Sequence, residues 1–369
     1  MTILIKQLRI IFLLCCICSI KATAQEIIQW KDALQQEENW YGSKEAIRIA
    51  DNLLLYQSKL GGWPKNIDMA KPITKSQIDE AKASNENHIN ETTIDNKATY
   101  QQVEYLANVF NATQNKIYKN ACIKGINFML DAQYENGGWP QFYPLRKGYY
   151  SHITFNDGAM IGVMRFLQNV VDNRFSFIDS NLQERCAESI KRGVTAILKC
   201  QVKINGTPTV WCAQHDENNF EPTKARAYEL PTLSGSESVG IVKYLLSIKN
   251  PNAEIIDAIN YAITWFEASK IEGIRLIKID NPAGKNGFDY VVGFDPNNKS
   301  PMWARFYELE TNYPIFVGRD GVVHYSIGEI EIERRTGYAW LSNWAEDLLT
   351  KHYPAWCKKH GLINQIAKY

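Results

Sequence analysis

One eight-residue pattern occurs twice in this chain, and its spacing constrains the fold more than any other feature. Gln57 to Pro64 reads QSKLGGWP and Gln133 to Pro140 reads QYENGGWP, both Q-x-x-x-G-G-W-P, 76 residues apart. Each copy closes a run with apolar residues at helical spacing. Glycines after such a run stop a helix, and the following proline prevents it from resuming. A degenerate third copy follows AILKC, where Gln201 precedes Asn205-Gly206 and Trp211. Between the copies lie TTIDNKATYQQVEYLANVFNATQ, HITFNDGAMIGVMRFLQNVVD and SGSESVGIVKYLLSI, each polar at its start and amphipathic afterwards. Recurrence at this period means helix pairs that bury their faces on neighbouring pairs. The expected fold is all-α: an α/α toroid of repeated helix pairs with the loops gathered at one end.

The flanks read less regularly. IIQWKDALQQEENWYGSKEAIRIADNLLLYQ suggests two helices broken at Gly42-Ser43, and YAWLSNWAEDLLTKHYPAWCKKH suggests a closing amphipathic helix. Residues 281–300, NPAGKNGFDYVVGFDPNNKS, read as an exposed, loop-rich insertion. At the other end, Lys6 and Arg9 precede a mostly apolar core from Ile10 to Ile20 and the small-x-small site Ala22-Thr23-Ala24. Residues 1–24 are therefore expected to be a cleavable signal peptide, too short to span a membrane. The product is expected to be secreted or periplasmic, without a membrane anchor, and monomeric. No Pro/Ser/Gly-rich linker divides residues 25–369, so they are expected to form a single catalytic domain.

Losing residues 1–24 removes Lys6, Arg9 and Lys21 and no acids, so 41 basic residues become 38 against 40 acids, a balance of −2. That argues against nucleic acid held by bulk charge. Five cysteines remain (Cys122, Cys186, Cys200, Cys212 and Cys357), an odd number at irregular spacing; Cys200 and Cys212 could pair, or the thiols could be buried and free. The six histidines are scattered and no zinc motif is present.

Chemistry concentrates in two places. The segments Thr93-Ile94-Asp95-Asn96, Thr154-Phe155-Asn156-Asp157 and Leu233 to Ser238 open successive helices with acids and amides. Helix capping alone would account for each acid. Two aspartates in matched repeat positions also raise the competing idea of one hard cation, since carboxylate oxygens suit Ca²⁺. The second place is residues 301–340, where Arg305, Arg319, Arg334 and Arg335 lie among Trp303, Phe306, Tyr307, Tyr338 and Trp340. Planar forks of donors beside flat rings suit an anionic sugar, although salt bridges fixing a surface loop would use the same residues. Gly318 to Gly321 should turn tightly and set Arg319 at a loop tip. In the loop from 211 to 231, Lys224, Arg226 and Tyr228 would share one face of an extended run.

The order of YQSKLGGWPKN, TIDNKAT, GGWPQFYP, ITFNDGAM, KARAYELPTLSGSES and WARFYELETNYPIFVGRDG…EIEIERRTGYAW resembles the pectate lyases of polysaccharide lyase family 10, over about residues 45 to 350. The resemblance implies an exported, calcium-assisted lyase that cleaves polygalacturonate by β-elimination. By similarity, Arg226 is the first choice for the base and Arg319 the runner-up. Asp95 and Asp157 match acids that work with Ca²⁺ at the cleavage site. Arg305 and Arg319 resemble substrate-carboxylate binders, with Arg334, or Arg335 beside it, as a further one. Lys224, Asn96, Trp139 and Tyr307 are implied substrate-site neighbours. An arginine base needs a lowered pKa, which crowding by Ca²⁺, Lys224 and other arginines would supply.

Three other readings share the scaffold. A terpene-cyclase-like enzyme lacks its D-x-D-D acid motif here. A glycoside hydrolase of the α/α class would use two carboxylates, for which Asp95 and Asp157 could serve. A non-catalytic polyuronide-binding protein would hold substrate without producing an unsaturated product.

Overall fold

Side-chain oxygens decide where several of the long helices begin. In the computed structural model, which describes residues 28–84, 87–285 and 287–366, the helices are α1 (Trp30–Ala33), α2 (Lys44–Tyr56), α3 (Lys75–Ser84), α4 (Tyr100–Thr113), α5 (Lys116–Asp131), α6 (Ala159–Val171), α7 (Ser180–Cys200), α8 (Glu237–Ser247), α9 (Ala253–Ala268), α10 (Ile332–Gly337) and α11 (Tyr353–His360). Ser43, Asn115, Asp179 and Asn252 cap α2, α5, α7 and α9, each accepting a backbone N–H from the first turn. Helices α4, α6 and α8 have no such side-chain cap. The expected signal segment lies outside the described residues. Among those residues, no helix is long and apolar enough to cross a membrane.

The two kinds of helix form two courses of an α/α toroid, as the repeat predicts. Helices α4, α6 and α8 pack on one another in turn, and so do α2, α5, α7 and α9, while α4–α5, α6–α7 and α8–α9 form hairpins across the courses. The repeat glutamines stitch the capped course. Gln57 Nε2 donates to Gly61 O and to Ala121 O in α5, both at 2.9 Å. Gln133 does the same to Gly137 O (3.0 Å) and Ser189 O in α7 (2.9 Å). Gln201 repeats it on Thr209 O (2.8 Å) and Ala258 O in α9 (2.9 Å), so the degenerate third copy is a true structural equivalent.

The repeat tryptophans are core residues. Trp63, Trp139 and Trp211 are fully buried, and each indole N–H reaches back to a carbonyl of the preceding helix, Leu53, Met129 or Ile197, at 2.7–2.8 Å. Trp303 makes the same bond to Phe266 O at 2.9 Å, a fourth equivalent that carries no glutamine or glycine signature. Gly61 and Gly137 have φ of +103° and +96°, and a Cβ on either would lie within 2.3 Å of a helix carbonyl. Only glycine fits so close an approach.

Several expectations for the flanks change. The first helix before Gly42 is one turn, α1, followed by a 3₁₀ stretch from Glu38 to Gly42. The insertion is a β-hairpin, Ile274–Asp280 paired with Phe288–Phe294, because β-branched and aromatic residues dominate both arms. The closing helix starts late. Leu341–Ser342 first pairs with Trp303–Ala304, and a π-turn at Leu348–His352 then leads into α11. Pro354 has no N–H for the carbonyl of Thr350, which explains the widened turn. The five cysteines among the described residues are all buried and free, so Cys200 and Cys212 do not pair.

Candidate active site

The segments that lead into the uncapped helices α4 and α6, Asp95-Asn96 and Asn156-Asp157, line one cleft of about 260 Å³, and Leu233 to Ser238 is the equivalent segment before α8. Their alignment follows from hydrogen bonds to the repeat tryptophans. Thr93 N and Thr154 N donate to Trp63 O and Trp139 O at 3.1 Å, and Ser234 N to Trp211 O at 2.8 Å. Counting from these anchors, Asp95 corresponds to Asn156 and Ser236, while Asp157 corresponds to Asn96 and Glu237. The two aspartates thus come together in one cleft, but from positions one residue apart rather than matched. Asn96 and Asp157 share a left-handed backbone, φ 49° and 50°, which Asn and Asp tolerate better than most residues. Neither aspartate caps a helix.

Asp95 is buried. Its Oδ2 accepts from Gln141 Nε2 at 2.8 Å and pairs with Lys65, while its Oδ1 has no partner among the described residues. A buried carboxylate oxygen left unbonded is costly unless something else meets it. The Asp157 carboxylate is 45% exposed, with Oδ2 accepting from Asn156 Nδ2 at 2.8 Å and Oδ1 3.5 Å from Arg305. Asn96, whose amide donates to Asn66 Oδ1 at 2.8 Å, completes an oxygen-rich wall. This donor set fits a hard cation. Among the described residues, the one group of three possible ligands within 4.8 Å is instead His152, Asp216 and Glu217. There, His152 Nδ1 and Ser151 Oγ already bond Glu217 (2.9 and 2.8 Å), and Asp216 Oδ1 accepts Asn218 N at 2.8 Å.

Arginines alternate with tyrosine rings beside the cleft. Arg226, Arg319 and Arg334 lie 5.0, 4.8 and 4.6 Å from the Tyr228 ring, and Arg334 and Arg305 lie 4.9 and 4.4 Å from that of Tyr338. Arg305 is buried and held by Glu237, whose other oxygen accepts from Ser234. Burial opposes its charge, but Glu237, Tyr338 and Asp157 outweigh burial and keep it more firmly protonated than a free guanidinium. Arg319 sits at the tip of the expected turn, Gly321 N donating to Gly318 O at 3.1 Å, and pairs with Glu333 through Nε (2.9 Å) and NH2 (2.7 Å). Arg335 is tied to Asp289 on the hairpin, whereas Arg334 has an NH2 without a partner among the described residues and a pKa lowered chiefly by burial. Of the two neighbours, Arg334 is therefore the one with donors to spare.

Arg226 lines the cleft, but the chain around it turns rather than extends. Glu229 N donates to Arg226 O at 2.9 Å, and Glu229 Oε2 takes Arg226 Nε at 2.8 Å. This carboxylate raises the Arg226 pKa, opposite to the lowering expected from crowding by cations. Lys224 is exposed on the same rim. Trp139 and Tyr307 do not line the cleft; both are buried, the Tyr307 hydroxyl bridging Ala304 N (2.9 Å) and Ser269 O (3.0 Å).

A family model described as pectic acid lyase matches residues 57–349. The chain belongs to this family. A family 10 polysaccharide lyase from Cellvibrio cellulosa is similar in structure at 33% identity, covering 90% of this chain and 95% of that one, with a TM-score of 0.72. An aspartate-to-alanine mutant of that lyase in complex with trigalacturonic acid is also 33% identical, covers 91% and 99%, and has a TM-score of 0.73. No match is found among curated proteins. The family 10 resemblance read from the motifs therefore holds, and with it a lyase acting on polysaccharides. Sequence reasoning missed four groups that complete this lyase's cleft: Lys65 and Gln141 on Asp95, Glu229 on Arg226, and Glu237 on Arg305. All lie inside motifs already noticed, and a search for opposite charges within three or four residues would have found Glu229.

Proposed function

We propose that this pectic acid lyase is an exported pectate lyase that cleaves α-1,4-polygalacturonate by calcium-assisted β-elimination. The observation that carries the reading is the unpartnered Oδ1 of buried Asp95 across from half-exposed Asp157, beside a ladder of arginines. Asp95 and Asp157 would hold the cation, with Asn96 contributing oxygen to the same wall. Bound Ca²⁺ supplies electrostatic stabilisation of charge that develops on the uronate carboxylate as its C5 proton leaves. Arg319, Arg334 and Arg305 orient and neutralise substrate carboxylates, and Lys224 adds charge at the rim. Arg226 is the base at C5 once its guanidinium leaves Glu229 and loses its proton, with Arg319 as the alternative. The complex of the Cellvibrio lyase with trigalacturonic acid supports the substrate class.

Polygalacturonate at alkaline pH, followed by ultraviolet absorbance with calcium and then with chelator, tests this reading. A calcium-dependent rise is expected, because the new double bond is conjugated to the carboxylate. New reducing ends without absorbance would make the two aspartates a hydrolase pair. Binding without either signal would leave a polyuronide-binding protein.

A further inference from the structure

The third repeat carries a carboxylate at the position of Asp157 and uses it differently. Glu237 is 8% exposed, and its environment is closed. Its Oε1 accepts from Arg305 NH2, its Oε2 accepts from Ser234 Oγ, and its own N–H donates to Ser234 Oγ at 3.1 Å. Ser234 is in turn fixed by pairing with Phe306, the residue next to Arg305. The same guanidinium NH2 stands 3.5 Å from Asp157 Oδ1, at the limit of a hydrogen bond, and the guanidinium carbon lies 4.4 Å from the centre of the Tyr338 ring.

We propose that Glu237 is a positioning residue that holds Arg305 off Asp157 and thereby keeps the Asp157 carboxylate open to a divalent cation. Charge counting carries the argument. One guanidinium between two carboxylates leaves a net charge of −1, and because the buried pair is the tighter one, the surplus sits on half-exposed Asp157. Without the Glu237 charge, Arg305 has a single carboxylate to satisfy it and turns to Asp157, making the cluster neutral where the cation should bind. Nature's use of one scaffold position three ways follows: an amide at Asn96, an open acid at Asp157, and a closed acid at Glu237.

The proposal rests on the reading of Asp157 as a cation ligand, and the test separates the two. Calcium is titrated calorimetrically into wild-type protein, Glu237→Gln, Arg305→Met and the double variant. Glu237→Gln should bind calcium roughly tenfold more weakly, from the loss of one nearby charge. The double variant should recover wild-type affinity, because the cation that occupied Asp157 is gone; a merely structural role for Glu237 would not be rescued this way. Should Glu237→Gln fail to fold by circular dichroism, Ser234→Ala, which frees one oxygen of Glu237, should weaken binding in the same direction. Unchanged calcium affinity in folded Glu237→Gln, or in Ser234→Ala where that variant stands in, overturns the proposal. Absence of calcium binding to the wild type overturns the cation reading of the site itself.

Discussion

Replacing Glu229 by glutamine tests the arginine base directly. In the free protein the Arg226 side chain is 47% exposed and that of Glu229 15%, so their bidentate pair lies between a surface and a buried one. After discounting for solvent screening it is worth about 1 kcal/mol. Glu229 favours the charged guanidinium by that amount, which means Glu229→Gln should raise the neutral fraction of Arg226 about fivefold at any pH below its titration. If neutral Arg226 removes the C5 proton, the alkaline rise of kcat/KM, which reports the free enzyme, should move to lower pH by about 0.7 unit. Stability changes with the opposite sign. The pair stabilises the fold at every pH below the arginine range and above the carboxylate range, because the Arg226 pKa is raised and that of Glu229 lowered. The variant should be about 1 kcal/mol less stable at neutral pH, and the difference should close on acidification through the carboxylate range. The assay is kcat/KM against pH by ultraviolet absorbance at saturating calcium. Its readout is the position of the profile, since its height also responds to lost orientation. An unmoved profile with a raised KM would refute the reasoning and make Arg226 a cationic substrate binder.

Arg226→Lys should keep oligogalacturonate binding within about threefold while losing most turnover, measured by calorimetry and absorbance; weakened binding with unchanged turnover per bound substrate would move the base to Arg319. Trp139→Phe should lower the denaturation midpoint by the loss of about 1–3 kcal/mol, from the indole bond to Met129 O and ring volume, while leaving KM unchanged. A changed KM would return Trp139 to the substrate site. His215, beneath the cleft, is held neutral: Nδ1 donates to Phe220 O at 2.7 Å and Nε2 accepts Cys212 N at 3.1 Å. Burial lowers its pKa to about 4, so stability should fall by about 3 kcal/mol as pH drops from about 6.5 to about 4 and then level off with respect to this group. Denaturant unfolding of wild type and His215→Gln across that range checks it, and equal slopes for the two would refute it.

The toroid was legible because its instructions are local and repeated. Gln57, Gly61 and Trp63, with their copies, each specify a bond that recurs on the next pair of helices. The fourth repeat was hidden because Trp303 keeps only the indole bond. The alignment of Asp95 with Asp157 failed by one residue because register is set by the backbone bonds of Thr93 and Thr154 to tryptophan carbonyls. Those bonds cannot be counted from the acids. Arg226 lies in the cleft lining, but the partner that sets its charge stands across a turn that an extended reading does not produce. Arg334 and Arg335 are adjacent in sequence, and only the hairpin carrying Asp289 tells them apart.

The glutamine stitches restrict how such a chain can change length. Each glutamine ends one helix of the capped course and grips a carbonyl in the middle of the next, so every joint belongs to two repeats at once. Removing one hairpin would leave a glutamine with nothing to hold and a helix carbonyl without its second donor. Lengthening or shortening is therefore permitted only in whole helix pairs, each bringing its own clasp, and the circumference of the ring is quantised. The cleft, built beside the uncapped starts between those pairs, inherits the same steps: its width can change by a full segment or by the side chains that line it, and by nothing between.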